Sequence, residues 1–262
     1  MSTFALLWRS ESTMENYLLS VIIPAYNEER TIADVIGRVF KSLENNNIAG
    51  EIIVVDDASK DATIQQVEQY MAKNPEHAVR LIISNTNRGK GYAIRQGIKE
   101  VKGNYVLVQD ADYEYDPRDY PKLLGPVLVG MADVVYGSRF MGGDPHRILF
   151  FWHSIGNKFL TFVSNMFTNL NLTDMESGYK LFRRDIIQNI RLKENRFGFE
   201  PEVTAKIARI PGIRIYEVGI SYYGRTYAEG KKINWQDGFR AIFCILKYNL
   251  FDRNHYINPI KR

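Results

Sequence analysis

Tyr105-Val106-Leu107-Val108-Gln109-Asp110-Ala111-Asp112-Tyr113-Glu114-Tyr115-Asp116-Pro117 decides how this chain folds. The run Tyr105 to Val108 is short, apolar and β-branched, which predicts a buried strand. It closes on Gln109-Asp110-Ala111-Asp112, so two carboxylates two residues apart stand where strand gives way to loop. Alternate residues at a strand end project the same way, so Asp110 and Asp112 are candidates to converge on one hard cation, magnesium or manganese. Such a cation holds one or two carboxylates and completes its shell with substrate phosphates and water. The plain alternative for a bare D-x-D is a solvated acidic turn. Glu114 and Asp116 follow, and Pro117 stops the segment.

Outward from this stretch, apolar runs alternate with helical periodicity. Leu18 to Pro24 reads as a strand leading into Ala25-Tyr26-Asn27-Glu28-Glu29, and Ile32, Val35, Ile36, Val39, Phe40 and Leu43 then recur at helical spacing. Glu51 to Val55 is a second strand ending on Asp56-Asp57, with a helix expected over Asp61 to Ala72. Val79 to Ser84 is a third strand, before Asn87-Arg88-Gly89-Lys90-Gly91 opens a helix through Val101. Ala132 to Tyr136 is the fifth strand and runs into Gly137-Ser138-Arg139. Ile213 to Ser221 is a late strand. Strands alternating with helices predict an α/β fold with a mainly parallel central sheet covered on both faces. In such sheets ligands sit outside the carboxyl ends of the strands. Four of those ends carry polar clusters that one crevice could collect: Tyr26 to Glu28, Asp56-Asp57, Asp110 to Asp112, and Ser138-Arg139.

The 262 residues are 45% hydrophobic and carry a net charge of +4, enough for one large core and a mild preference for anionic ligands without a call for nucleic acid. The single Cys244 excludes an intramolecular disulfide and suits a reducing compartment. No apolar run is long enough to span a bilayer, and the N-terminus does not read as a signal peptide. The expectation is therefore a cytoplasmic protein: a flexible extension over 1–17, in which Met14 is an alternative start, one domain over 18–250, and a tail over 251–262. A homo-oligomer is compatible with the sequence. Ile148 to Leu170 is rich in Phe and Trp yet interrupted by polar residues, so it either packs on the sheet or lies in a membrane interface. Trp235 to Leu250 reads as a second aromatic amphipathic helix, flanked by Lys231, Lys232, Arg240 and Lys247. The sequence around Gly89-Lys90-Gly91 is not a G-x-G-x-x-G fingerprint, and there is no Walker A loop, nucleophile elbow or zinc spacing. These absences disfavour hydride transfer and ATP hydrolysis.

Ser20-Val21-Ile22-Ile23-Pro24-Ala25-Tyr26-Asn27-Glu28, then Val54-Val55-Asp56-Asp57-Ala58-Ser59, then Gln109-Asp110-Ala111-Asp112 resemble, in order and spacing, the inverting family 2 glycosyltransferases of GT-A fold. Tyr136 to Phe140, the Asp174 to Lys180 loop and the Arg225 to Lys232 loop resemble its polyprenyl-phosphate branch, which includes the dolichyl-phosphate mannose synthases. The resemblance implies that Pro24, Ala25, Tyr26, Asn27 and Glu28 line the donor's base and ribose, with Asp56 or Asp57 reading the base. It implies that Asp110 and Asp112 hold the metal and diphosphate, with Ala111 between them and Lys90 in the donor-binding set. Glu114 is counted with the metal ligands although relatives carry glutamine there, a departure that adds negative charge. Arg139, Arg225 and Lys231 would surround the donor diphosphate or an acceptor phosphate, and Asp112 and Arg139 would be catalytic. The donor would be a nucleotide sugar of GDP-mannose or UDP-glucose type, the acceptor a lipid phosphate, and the enzyme peripheral on an anionic membrane surface. Two alternatives stand beside this: transfer to a hydroxyl with Glu200 or Glu202 as base, and a non-catalytic nucleotide-sugar-binding subunit.

Overall fold

The computed structural model describes residues 17–142, 151–224, 235–252 and Tyr256. Residues 1–16 of the expected 1–17 extension, residues 148–150, the Arg225, Lys231 and Lys232 loop and most of the tail lie outside the described residues. Seven strands form one sheet: β1 (Leu18–Ala25), β2 (Ala49–Asp56), β3 (Val79–Ile83), β4 (Tyr105–Val108), β5 (Val134–Ser138), β6 (Lys180–Arg183) and β7 (Ile215–Gly219), in the order β3-β2-β1-β4-β6-β5-β7. β1, β2, β3 and β4 run parallel, and β5 pairs parallel with β7. β6 is antiparallel to both β4 and β5. This is the mainly parallel α/β sheet that the alternating pattern predicts, in the GT-A arrangement that the resemblance implies.

β6 is the element that the periodicity does not announce. Its four residues include the buried Lys180, so Asp174 to Lys180 reads in sequence as a loop throughout. Its direction matters for the site. An antiparallel strand brings its amino end to the edge where β1, β2, β4 and β5 have their carboxyl ends, and so delivers the preceding Asp174–Tyr179 segment there.

Helices α1 (Ile32–Asn45), α2 (Thr63–Lys73) and α4 (Tyr120–Leu128) cover one face of the sheet. α3 (Lys90–Glu100), α5 (Phe151–Thr168), α6 (Arg184–Asn189), α7 (Phe199–Ile207) and α8 (Trp235–Leu246) lie on the other. Successive side chains of a strand point to opposite faces. Accordingly Val21 and Ile23 enter the first core while Ile22 enters the second, and all three are fully buried. Each such residue contributes about 1.5–3 kcal/mol through removal from water. Beyond α8 the chain continues as a π-helical turn, Lys247–Phe251. α5 packs with Leu160, Val163 and Phe167 against the second core, while Trp152, Phe159 and Phe162 on its outer side stay more than half exposed. The packing reading therefore holds for the inner face, and the outer face leaves these aromatics to solvent.

Candidate functional site

The strand registers align the ends that carry the polar clusters. Ala25 pairs with Asp56, and Ile22 pairs with Val108, so Asp110 comes two positions past the last paired residue of β4. Backbone bonds bring the loops together: the Asp57 N–H donates to the Ala25 carbonyl at 2.8 Å, and the Gln109 N–H donates to the Ile22 carbonyl at 2.9 Å.

At the β1 end, Pro24 and Tyr26 are half-buried and Ala25 is buried. Asn27 takes a left-handed φ of 54°. Its N–H donates to Ser59 Oγ at 2.9 Å, and its side-chain oxygen accepts the Lys60 N–H at 2.8 Å. The Glu28 N–H donates to Thr63 Oγ1 at 2.8 Å, and Glu28 Oε2 accepts the Thr31 hydroxyl at 3.1 Å. Asn27 and Glu28 thus bind the β1 loop to the β2 loop. Asp56 is fully buried, with Oδ2 accepting the Ser59 N–H at 2.9 Å and Oδ1 without a protein partner. A buried acceptor left unpaired costs about 1–3 kcal/mol unless a ligand donor meets it. That fits a base-reading role. Asp57 takes another: it accepts the backbone N–H groups of Arg88 at 3.0 Å and Gly89 at 2.5 Å. Gly89 has φ 104°, and a Cβ there would lie 2.6 Å from the Asn195 carbonyl, so no side chain fits.

That turn aims Lys90 into the crevice. Its ammonium lies 2.7 Å from Asp110 Oδ1 and 3.6 Å from Glu200 Oε1. Burial works against the charged lysine, but the Asp110 and Glu200 carboxylates more than offset it, so the proton is held more tightly than in an ordinary lysine. Gly178 packs behind the pair: a Cβ there would be 3.0 Å from Asp110 and 3.4 Å from the Lys90 ammonium. Ala111 is buried, and Asp112, 8% exposed, accepts the Glu114 N–H at 3.0 Å.

The carboxylates of Asp110 and Asp112 suit a hard divalent cation that draws most of its shell from phosphate oxygens, and the ammonium seated against Asp110 shows that this carboxylate accepts positive charge. Glu114, the third expected ligand, is held from the other side of the crevice. Its Oε2 accepts the Tyr222 hydroxyl at 3.0 Å, and among the described residues no three carboxylates, histidines or cysteines converge as a ready-made metal cage.

Arg139 is paired with a carboxylate. Its Nε and Nη2 each lie 2.7 Å from an oxygen of Asp174, a fork-on-carboxylate pair in which Asp174 is fully buried. The guanidinium fork therefore fastens the Asp174–Tyr179 segment to the end of β5. Glu217 holds the same segment by accepting the backbone N–H groups of Thr173 and Asp174.

The two proposed bases part company. Glu202 is fully buried and accepts from the Lys193 N–H, the Glu194 N–H at 2.7 Å and the Lys206 ammonium at 2.6 Å. Its carboxylate is committed to holding the 193–194 turn. Glu200, in the first turn of α7, faces the crevice through Lys90.

Two residues of the site were not singled out by sequence. Glu176 has one carboxylate oxygen, Oε1, buried with no partner, and burial followed by the Glu200 charge pushes its carboxyl well up. Lys180, 1% exposed, donates to the carbonyls of Met175 and Ser177, and burial pushes its ammonium down. The available signal was a lysine and a glutamate inside a segment otherwise rich in small and apolar residues.

Comparison with known proteins agrees with this geometry. Residues 20–191 match the family described as Glycosyl transferase family 2. A hexosyltransferase of low-salt glycan biosynthesis from Haloferax volcanii is 32% identical over 87% of this chain and 53% of its own length, so the chain spans about half of that relative. A dolichyl-phosphate β-glucosyltransferase from Dictyostelium discoideum is 30% identical over 88% of this chain and 73% of its own. Among solved structures, Mycobacterium tuberculosis glucosyl-3-phosphoglycerate synthase in complex with Mn2+, UDP and glucosyl-3-phosphoglycerate superposes with a TM-score of 0.69 at 20% identity, over 95% of this chain and 84% of that one. The sheet order, the strand-end carboxylates and the match over 20–191 lead to one assignment: the chain belongs to glycosyltransferase family 2.

Proposed function

We propose that the chain is an inverting hexosyltransferase that moves a sugar from a nucleotide sugar, of GDP-mannose or UDP-glucose type, to a polyprenyl phosphate. Asp110 and Asp112 would hold a magnesium or manganese ion, which when bound supplies positive charge to the leaving nucleoside diphosphate. The complex of the M. tuberculosis neighbour with Mn2+ and UDP, and the dolichyl-phosphate relative, support this reading.

Asp56 presents its unpaired oxygen to the donor's base, and the loop from Tyr26 to Glu28 lines the ribose. Lys90 offers a fixed cation beside Asp110 to the diphosphate, where charge grows as the anomeric C–O bond breaks. Arg225 and Lys231, on the segment outside the described residues, are assigned to the same anions. A phosphate oxygen attacks the anomeric carbon from the opposite face, and nucleoside diphosphate leaves.

The observation that carries the acceptor class is the commitment of both proposed bases to cations, Glu202 to Lys206 at 2.6 Å and Glu200 to Lys90 at 3.6 Å. A hydroxyl nucleophile needs a base ready for its proton, whereas a phosphate oxygen is already anionic. Glu176 favours a second reading. Its unpaired oxygen and raised pKa suit a general base, and a hydroxyl acceptor would use it.

The same reading places the protein peripherally on an anionic membrane surface, reached by the exposed aromatics of α5 and α8. No helix among the described residues is long and apolar enough to cross a membrane. The test is product analysis after incubation of nucleotide sugars and Mn2+ with a short polyprenyl phosphate or with saccharide acceptors. A glycosylated lipid phosphate is expected. Transfer to saccharides alone would replace this reading with the hydroxyl-acceptor one, and no transfer to any acceptor would favour a binding subunit.

A further inference from the structure

A cavity of about 500 Å³ opens between the Arg88 turn, the 193–197 segment and α8. Five of its lining residues are cationic, Arg88, Lys193, Arg196, Arg240 and Lys247, and one, Glu194, is acidic. Glu194 is buried and already satisfied. It accepts Arg240 Nη2 at 2.6 Å, the Lys247 ammonium at 3.0 Å and the Tyr248 hydroxyl at 2.6 Å. Lys193 pairs with Asp252 at 2.6 Å. Five cations against these two carboxylates leave a net formal charge of +3, which calls for an anion.

The cavity's position says which anion. The Arg240 guanidinium lies 5.4 Å and the Lys247 ammonium 5.9 Å from the centroid of the Phe243 ring, which is 52% exposed on α8. α8 packs on α5, whose Trp152, Phe159 and Phe162 are also more than half exposed. Cations set beside a row of exposed aromatics match the layering of a bilayer surface, with phosphates outside and acyl chains beneath. A soluble anion would give no use to the aromatics. A neutral surface would give no use to the cations.

We propose that this cavity seats the phosphate headgroup of an anionic phospholipid while the aromatic faces of α5 and α8 enter the membrane interface. Arg240 and Arg196 supply guanidinium forks suited to a phosphodiester, with Lys247 as a further point charge. This rests on the peripheral-membrane reading above and deepens it by naming the seat of the headgroup; the lipid is neither donor nor acceptor, so its binding is measured without turnover and stands or falls apart from glycosyl transfer.

Flotation of the full chain with phosphatidylcholine vesicles, alone or containing phosphatidylglycerol, tests it. The wild type should float with the phosphatidylglycerol vesicles and remain behind with phosphatidylcholine alone. Arg196→Gln should weaken partitioning about 5-fold, equivalent to about 1 kcal/mol for one cation near the surface, with its far-ultraviolet dichroism unchanged. Phe243→Ser should weaken it as well. Lys73→Gln removes a charge from α2, on the other face of the sheet, and should change nothing. Equal losses in Arg196→Gln and Lys73→Gln would reduce the attraction to overall charge and overturn the proposal, as would undiminished binding by Arg196→Gln. On phosphatidylcholine doped with a short polyprenyl phosphate, flotation through the acceptor crevice should be the same for Arg196→Gln as for the wild type. Flotation there that Arg196→Gln abolishes would make the cavity the acceptor's seat and overturn the proposal equally.

Discussion

The Lys90 ammonium stands 2.7 Å from Asp110, so a fixed cation already occupies one side of the carboxylate pair at the end of β4. This contact joins the turn after β3 to the strand end that the metal reading depends on. Two positive charges drawn to the same carboxylates also repel each other. Lys90→Gln should therefore bind Mn2+ at least as tightly as the wild type while losing turnover on the order of 10²-fold, as for other removed transition-state cations. Mn2+ titration followed by electron paramagnetic resonance, beside a rate measurement, checks both halves. Weaker Mn2+ binding would mean that Lys90 supports the metal site instead of sharing it.

Asp112→Asn should abolish metal-dependent turnover and keep the fold, since it removes one anionic ligand from a site governed by charge count. Rates across a Mn2+ series, with a thermal melt as control, decide it. Unchanged rates would remove Asp112 from the metal site.

Glu202→Gln should act on stability. Glu202 and Lys206 are both fully buried and 2.6 Å apart, and breaking such a pair leaves an uncompensated charge at a cost of about 3–5 kcal/mol. Denaturant unfolding of the variant measures this, while the folded fraction should keep its turnover per molecule. Full stability together with lost turnover would make Glu202 the base of a hydroxyl-acceptor reaction.

Acid should expose the Glu194 cluster. Burial opposes its carboxylate, but bonds from Tyr248, Arg240 and Lys247 outweigh that and hold its pKa at about 2, below the ordinary 4.5. A depressed carboxyl stabilises the fold above its unfolded value, and that share is lost as pH falls from about 4.5 to about 2. Glu194→Gln should melt below the wild type at neutral pH, and the gap should close across that window. A gap independent of pH would mean that the loss is packing alone.

Six strands of the sheet were legible, β7 among them, most as apolar β-branched runs ending in a turn signal, as in Glu51 to Asp57 and Tyr105 to Asp110. The crevice was legible for the same reason, since parallel strands leave their carboxyl ends on one edge. β6 was not, because a four-residue strand beginning on a buried lysine has no period to read. Its antiparallel direction, which brings Glu176 and Lys180 to that edge, is a tertiary fact. Glu200 and Glu202 looked alike in sequence, both acidic in the first turn of a helix. Only packing turns one toward Lys90 and the other into the 193–194 turn. The same holds for Arg139, whose partner Asp174 is 35 residues away.

The claim that the nucleophile is an already anionic phosphate oxygen is tested most directly by turnover of Glu200→Gln and Glu176→Gln with nucleotide sugar, Mn2+ and a short polyprenyl phosphate. The account predicts that each variant retains turnover within about 10-fold of the wild type, because no proton has to be removed from the acceptor. A loss on the order of 10²–10⁴-fold in either variant, the usual cost of a missing general base, would contradict it.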